Sequence, residues 1–292
     1  MRRILRFTCY SLLVLLLTWI IAMQSGCMDM RTPNSAWAEQ LRAKGQVLVP
    51  QFLDVASSTG RSIHAVAVIT VDSLPWVFML HGSPGSADAY LDYLADTSLS
   101  HQANLVAIDR AGFGYSDYGK AETSLQRQAA DVKAVADRLA PGRKILLVGH
   151  SLGSPVIFRF AMDYPDQTAG IVNVAGSVDA GLEPHPWWQS VLDVPPMSWL
   201  LPGSFWASNH EIRYLAPELK WMEPLWANIR CPVEIVHAQD DSLVPAGNVD
   251  FCKKMLVGAA NVKVNLLPTG DHFILWSRRD VVIESIVELL KG

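Results

Sequence analysis

Apolar positions along this chain fall into short continuous runs separated by amphipathic stretches, which is the pattern of a parallel sheet covered by helices. Two strand-like runs come first, Gln46 to Val55 and Ile63 to Val71. Ser57-Ser58-Thr59-Gly60 between them reads as a hairpin turn. Strands at Trp76–Leu80, Leu105–Ile108, Lys144–Val148 and Gly170–Val174 then alternate with helical patterns near Ala87–Ala95, Ser124–Leu139 and Ser154–Met162. The alternation resumes with strand Val233–Val236, helix Ala246–Met255, strand Val262–Leu267 and a final amphipathic helix, Asp280–Leu290. An opening hairpin followed by six such strands predicts a mostly parallel α/β sheet of eight, with helices on both faces. With 292 residues, half of them hydrophobic, one domain of this kind can bury a full core.

Two segments break the pattern. Phe7 to Met23 is nearly unbroken apolar sequence behind Arg2, Arg3 and Arg6, and no charge falls between Arg6 and Asp29. A soluble core helix would show a polar face, so residues 1–28 read as an export signal or membrane anchor. The basic flank keeps the N-terminus cytoplasmic and sends residues 29–292 across the membrane, into a bacterial periplasm or cell envelope. Ser25-Gly26-Cys27 resembles the end of a lipobox, in which Cys27 would be lipidated. Gln24 departs from the aliphatic residue that motif wants, so cleavage, lipidation and retention all stay open. The second break covers about residues 177–228. It holds six of the ten tryptophans, and prolines at 184, 186, 195, 196, 202, 217 and 224. Proline spacing of this kind breaks long helices while aromatics want burial. The segment emerges at the C-terminal edge of a parallel sheet, where active sites lie, and is expected to form a lid. The plainer alternative is a packed structural excursion.

Charge narrows the partners. Three of the 24 basic and none of the 28 acidic residues lie in 1–28, which leaves 21 against 28, a net −7. That balance argues against nucleic acid and against docking on anionic lipid through a basic patch. Cys231 and Cys252 could pair in an oxidising compartment or remain two buried thiols. No CxxC or His/Cys cluster points to a metal, and no cofactor is implied. Oligomeric state is not legible.

The chemistry gathers at Gly149-His150-Ser151-Leu152-Gly153, a nucleophile elbow between strand and helix. Small residues two before and two after the serine let strand and helix approach closely. Serine chemistry needs a base, an acid that orients it, and oxyanion donors. His272, in the loop after the last strand, is the best-placed base among eight histidines. Asp240 and Asp241 compete for the acid, with Asp241 favoured because it precedes the Ser-Leu-Val-Pro run opening the next helix. The backbone N–H groups of Leu152 and of Ser83, in His81-Gly82-Ser83-Pro84-Gly85, are the expected oxyanion donors, since Pro84 has none to give.

Those two motifs, with Asp109-Arg110-Ala111-Gly112-Phe113-Gly114-Tyr115-Ser116, Asp241-Ser242-Leu243-Val244-Pro245 and Gly270-Asp271-His272-Phe273, make residues 45–292 resemble the α/β-hydrolase superfamily. The resemblance implies an eight-stranded sheet with one antiparallel strand, a lid after the sixth strand, and catalysis by Ser151, Asp241 and His272. The family usually has Gly where Ala238 stands and often an uncharged residue at Asp271; a charge beside the base would raise its pKa. A serine nucleophile sets aside the family's dehalogenase and epoxide-hydrolase chemistries in their usual form, which use aspartate there. The expected activity is cleavage of a small carboxylic ester with an apolar part, through an acyl-enzyme. Aminopeptidase action (with a lid carboxylate from Glu183, Glu211, Glu218 or Glu223), carbon–carbon bond hydrolysis, peroxide-dependent chemistry and non-catalytic ligand binding are the alternatives.

Overall fold

The computed structural model describes residues 2–25, 31–184 and 186–291. The strands are β1 (Gln51–Ala56), β2 (Ser62–Val68), β3 (Trp76–Leu80), β4 (Asn104–Ile108), β5 (Ile145–His150), β6 (Thr168–Val174), β7 (Val233–Ala238) and β8 (Val262–Leu267). They form one sheet in the order β1-β2-β4-β3-β5-β6-β7-β8. β2 runs antiparallel to both its neighbours, and every pair from β4 to β8 is parallel. Strands β3 to β7 are buried almost throughout, whereas edge strand β1 has no buried residue and is mostly exposed. Continuous apolar runs in the sequence correspond to strands covered on both faces.

The two-residue period of each strand divides the core. Trp76, Phe78, Leu80, Ile145 and Leu147 face helices α3 (Leu125–Leu139) and α4 (Gly153–Asp163). Val77, Met79, Leu146 and Val148 face the other way, onto Trp37 of α2 (Asn34–Ala43) and onto Val282 and Ile286 of the C-terminal helix Arg279–Lys291. Ser124 caps α3 by accepting from the Arg127 N–H.

Several boundaries differ from the sequence reading. β1 starts at Gln51 because the N–H groups of Gln46 and Leu48 are taken by the Leu41 carbonyl and the Gln46 side chain, and Pro50 has none to give. β2 stops at Val68 because the Thr70 N–H bonds the Asn104 side chain instead of a strand. The helix near Ala87–Ala95 is a 3₁₀ turn followed by a single α turn. Cys231 and Cys252 are both free and buried, so the pairing left open does not form. Cys27, the lipidation candidate, lies outside the described residues.

Between β6 and β7 the chain makes a helical insertion. Its first half is short turns and the helix α5 (Trp188–Leu192). Its second half is α6 (Gly203–Met222), twenty residues long with Pro217 inside it. The expectation that proline spacing excludes a long helix therefore fails here. Pro202 stands at the N-cap, where a missing N–H costs nothing. Only Pro217 removes an internal bond, and burial of Leu215, Ala216, Leu219 and Met222 around it offsets that loss.

At the N-terminus, α1 (Arg2–Gln24) carries a 19-residue stretch, Arg6–Gln24, long and apolar enough to cross a membrane.

Candidate active site

β5 ends at His150, and Ser151 turns the chain with φ +53°, a left-handed conformation that costs a non-glycine residue about 1–2 kcal/mol. The turn is held by the Ser151 N–H bonding the Val174 carbonyl at 3.0 Å and by the Ser154 hydroxyl bonding the Gly149 carbonyl at 2.8 Å. A side chain at Gly149 would lie 2.8 Å from the Gly153 carbonyl oxygen, and one at Gly153 would strike the carbonyls of Leu80 and His81. Both glycines are required by close approach.

Three side chains from three strand ends meet at this turn. The Ser151 Oγ lies 2.9 Å from His272 Nε2, and His272 Nδ1 lies 2.8 Å from Asp241 Oδ2. The other oxygen of Asp241 accepts the N–H groups of Leu243 and Val244 at 2.9 and 2.8 Å. Burial pushes the Asp241 carboxyl up, but bonding from His272 and those two N–H groups outweighs it and holds the pKa below the usual value. Asp241 thus stays ionised at neutral pH. It requires the proton of His272 on Nδ1, which leaves Nε2 a free lone pair aimed at the serine hydroxyl. Asp240 is exposed and takes no part. Asp271, beside the base, is exposed and its carboxylate accepts the Phe273 N–H.

Two further histidines brace the site. The His150 ring bonds the His272 carbonyl through Nε2 at 3.0 Å. Burial, helped by the neighbouring His272, holds His150 down at about 4. His81 accepts the Arg110 N–H on Nε2 and donates from Nδ1 to the Gly82 carbonyl at 2.7 Å. Burial and nearby Arg110 keep it neutral as well.

The loop after β3 closes on the serine: a Cβ at Gly82 would lie 2.9 Å from the Ser151 Cβ. The backbone N–H of Ser83 follows directly, and Leu152 N–H opens the turn into α4. Neither N–H bonds another group among the described residues.

Arg110 belongs to the Asp109–Ser116 motif, and its side chain joins three parts of the fold. Its guanidinium donates to the His81 and Gly82 carbonyls at 2.9 and 3.0 Å, and to Gln128 at 2.8 Å. It also makes a bidentate pair with Glu211 of α6 at 2.8 and 2.9 Å, and both side chains are 2% exposed. The insertion is therefore fastened to the loop that carries Ser83. The preceding Asp109 accepts N–H groups from Ala87 and Tyr115. The only sequence signal for this cluster was an Asp-Arg pair directly after a strand. A cavity of about 370 Å³ lined by Lys44, Asp92, Asp96 and Arg279 does not border Ser151.

Residues 75–205 match the family described as alpha/beta hydrolase fold. Epoxide hydrolase B of Mycobacterium tuberculosis is 31% identical over 124 residues, covering 41% of this chain, and the chain spans about a third (34%) of that relative's length. Among solved structures, the esterase EaEST from Exiguobacterium antarcticum superposes with a TM-score of 0.64 at 16% identity, over 83% of this chain and 100% of its own. A bacterial membrane phospholipase A does so with a TM-score of 0.64 at 18% identity, over 100% of this chain and 99% of its own.

Proposed function

We propose that this chain, which has the α/β-hydrolase fold and matches that family over residues 75–205, is a serine hydrolase cleaving a carboxylic ester with an apolar part. The observation that carries this reading is the line Ser151 Oγ, His272, Asp241, joined at 2.9 and 2.8 Å. In the first half-reaction His272 Nε2 takes the Ser151 proton as Oγ attacks the ester carbonyl. The N–H groups of Ser83 and Leu152 receive the oxyanion, and His272 returns the proton to the departing alcohol. In the second, His272 deprotonates a water, which attacks the acyl-serine; carboxylic acid leaves and Ser151 regains its proton.

The relative from Mycobacterium tuberculosis is named for epoxide hydrolysis, but this chain has serine at the attacking position. Against an aminopeptidase stand the partners of the insertion's four glutamates. Glu211 pairs with Arg110, Glu218 accepts the Leu125 N–H, Glu223 meets Lys220, and Glu183 takes the Ser177 hydroxyl. None is spare for a substrate amine. The apolar composition of the insertion supports an apolar acyl or alcohol group, although Trp226 is spent in the core and Trp187, Trp188, Trp199 and Trp221 are largely exposed. Residues 2–24 are read as a membrane anchor that holds residues 29–292 on the non-cytoplasmic side.

The test is hydrolysis of p-nitrophenyl esters of increasing acyl length by the full chain in detergent and by its Ser151→Ala variant. Loss of at least about 10³-fold in kcat for the variant, with unfolding unchanged, is expected. Equal turnover by both proteins would refute the reading.

A further inference from the structure

The insertion and α1 are joined in a way that neither the fold nor the ester chemistry requires. The indole N–H of Trp19 donates to the Leu200 carbonyl at 3.1 Å. The amide of Gln24 donates to the carbonyls of Trp199 and Leu201 at 3.3 and 2.9 Å. Met23, between them, is 4% exposed. The turn Met197–Leu200 is thus held by the last two turns of a helix that is otherwise open on its apolar sides.

Depth follows from helix geometry. Nineteen residues at 1.5 Å each span about 28 Å, close to the roughly 30 Å hydrocarbon thickness of a bilayer. With Arg2, Arg3 and Arg6 on the cytoplasmic side, Gln24 reaches the outer boundary, and Trp19 sits about 7.5 Å further in. Anything bonded to both lies in the outer interfacial layer. There its carbonyls need partners, and Trp19 and Gln24 provide them.

The surface around this turn suits that layer. Trp187, Trp188, Val191, Val194 and Trp199 are 78%, 47%, 42%, 53% and 50% exposed. Between Glu183 and Glu211 the only Asp, Glu, Lys or Arg is Asp193. Its side chain is 6% exposed and is taken by His210 and Arg213. An uncharged, tryptophan-rich face continuous with a spanning helix has the composition of an interfacial belt.

We propose that residues 187–201 are immersed in the outer interfacial layer of the bilayer, so that lipid, not water, covers this face of the insertion. The inference rests on the reading of α1 as a membrane anchor. Its consequence is that the domain is held with its insertion against the bilayer, beside a supply of membrane-borne amphiphilic esters.

The test uses the full chain in vesicles of phosphatidylcholine and phosphatidylglycerol, with Cys9→Ser and Cys27→Ser and the buried Cys231 and Cys252 retained. An environment-sensitive fluorophore is attached, one site at a time, at Trp187→Cys, Trp199→Cys, Val14→Cys and Val257→Cys. Each protein must keep the parent's cooperative thermal transition, and Val194→Cys replaces a tryptophan variant that does not. Labels at 187 and 199 should be quenched by a lipid-borne nitroxide and shielded from iodide, as at 14, while the label at exposed Val257 behaves oppositely. Labels at 187 and 199 matching 257, with 14 in lipid, would overturn the inference and leave the anchor standing. A label at 14 open to iodide would remove the anchor reading and the inference with it.

Discussion

At the scale of single residues, the site is made by backbone strain and by neutral imidazoles. Ser151 sits at φ +53°, which glycine adopts without cost. Ser151→Gly should therefore raise stability by about 1 kcal/mol in urea unfolding while abolishing turnover, whereas Ser151→Ala should bring no such gain. His150, held at about 4 by burial and His272, accepts its proton more readily in the unfolded chain, near 6.5. Its contribution to stability is complete above pH 6.5 and is lost as pH falls from 6.5 toward 4. The effect is at most about 3 kcal/mol. His81 acts in the same direction, and Asp109, raised to about 6 by burial, acts in the opposite one. Comparing His150→Gln with the parent cancels both: the difference in unfolding free energy should shift across pH 6.5 to 4. An unchanged difference would mean that His150 titrates normally.

At the scale of elements, a buried ion pair, Arg110 with Glu211, ties the insertion to the loop after β4. Removing one partner strands the other charge in the core, which costs about 3–5 kcal/mol. Glu211→Ala should lose that much stability. Arg110→Met combined with Glu211→Met should lose clearly less than the sum of the single changes, read from a double-mutant cycle. Because Arg110 also donates to the His81 and Gly82 carbonyls, the single variants should lower kcat by disordering the Ser83 loop. The strand pattern announced nothing of this pairing, since Arg110 and Glu211 are 101 positions apart. By contrast, β3 and β8 were legible to the residue, because local apolar runs bounded by turn residues define them. The apolar run extends the sequence expectation for β1 back to Gln46, but the backbone before Gln51 is bonded locally, to Leu41 and to the Gln46 side chain.

At the scale of the whole molecule, the proposed membrane anchor α1 predicts where the chain is held. The full chain should stay with membranes through alkaline carbonate extraction, and a chain beginning at Arg31 should be released. Release of both would show that α1 does not anchor the domain. The net −7 of the remainder gives no electrostatic attraction to anionic lipid, so retention would rest on apolar burial and should persist at high salt.

Sequence by itself determined the run of strands and helices, the opening hairpin, and the two glycine-flanked turns around Ser151. Each of these is written in local periodicity or in a turn's steric demands. Tertiary structure alone decided which of Asp240 and Asp241 faces His272, that Cys231 and Cys252 stay apart, that Pro217 sits within a helix, and that Arg110 joins the insertion to the Ser83 loop. Those outcomes depend on which distant groups meet in a buried space, where one unpaired charge or donor costs more than any local preference can supply.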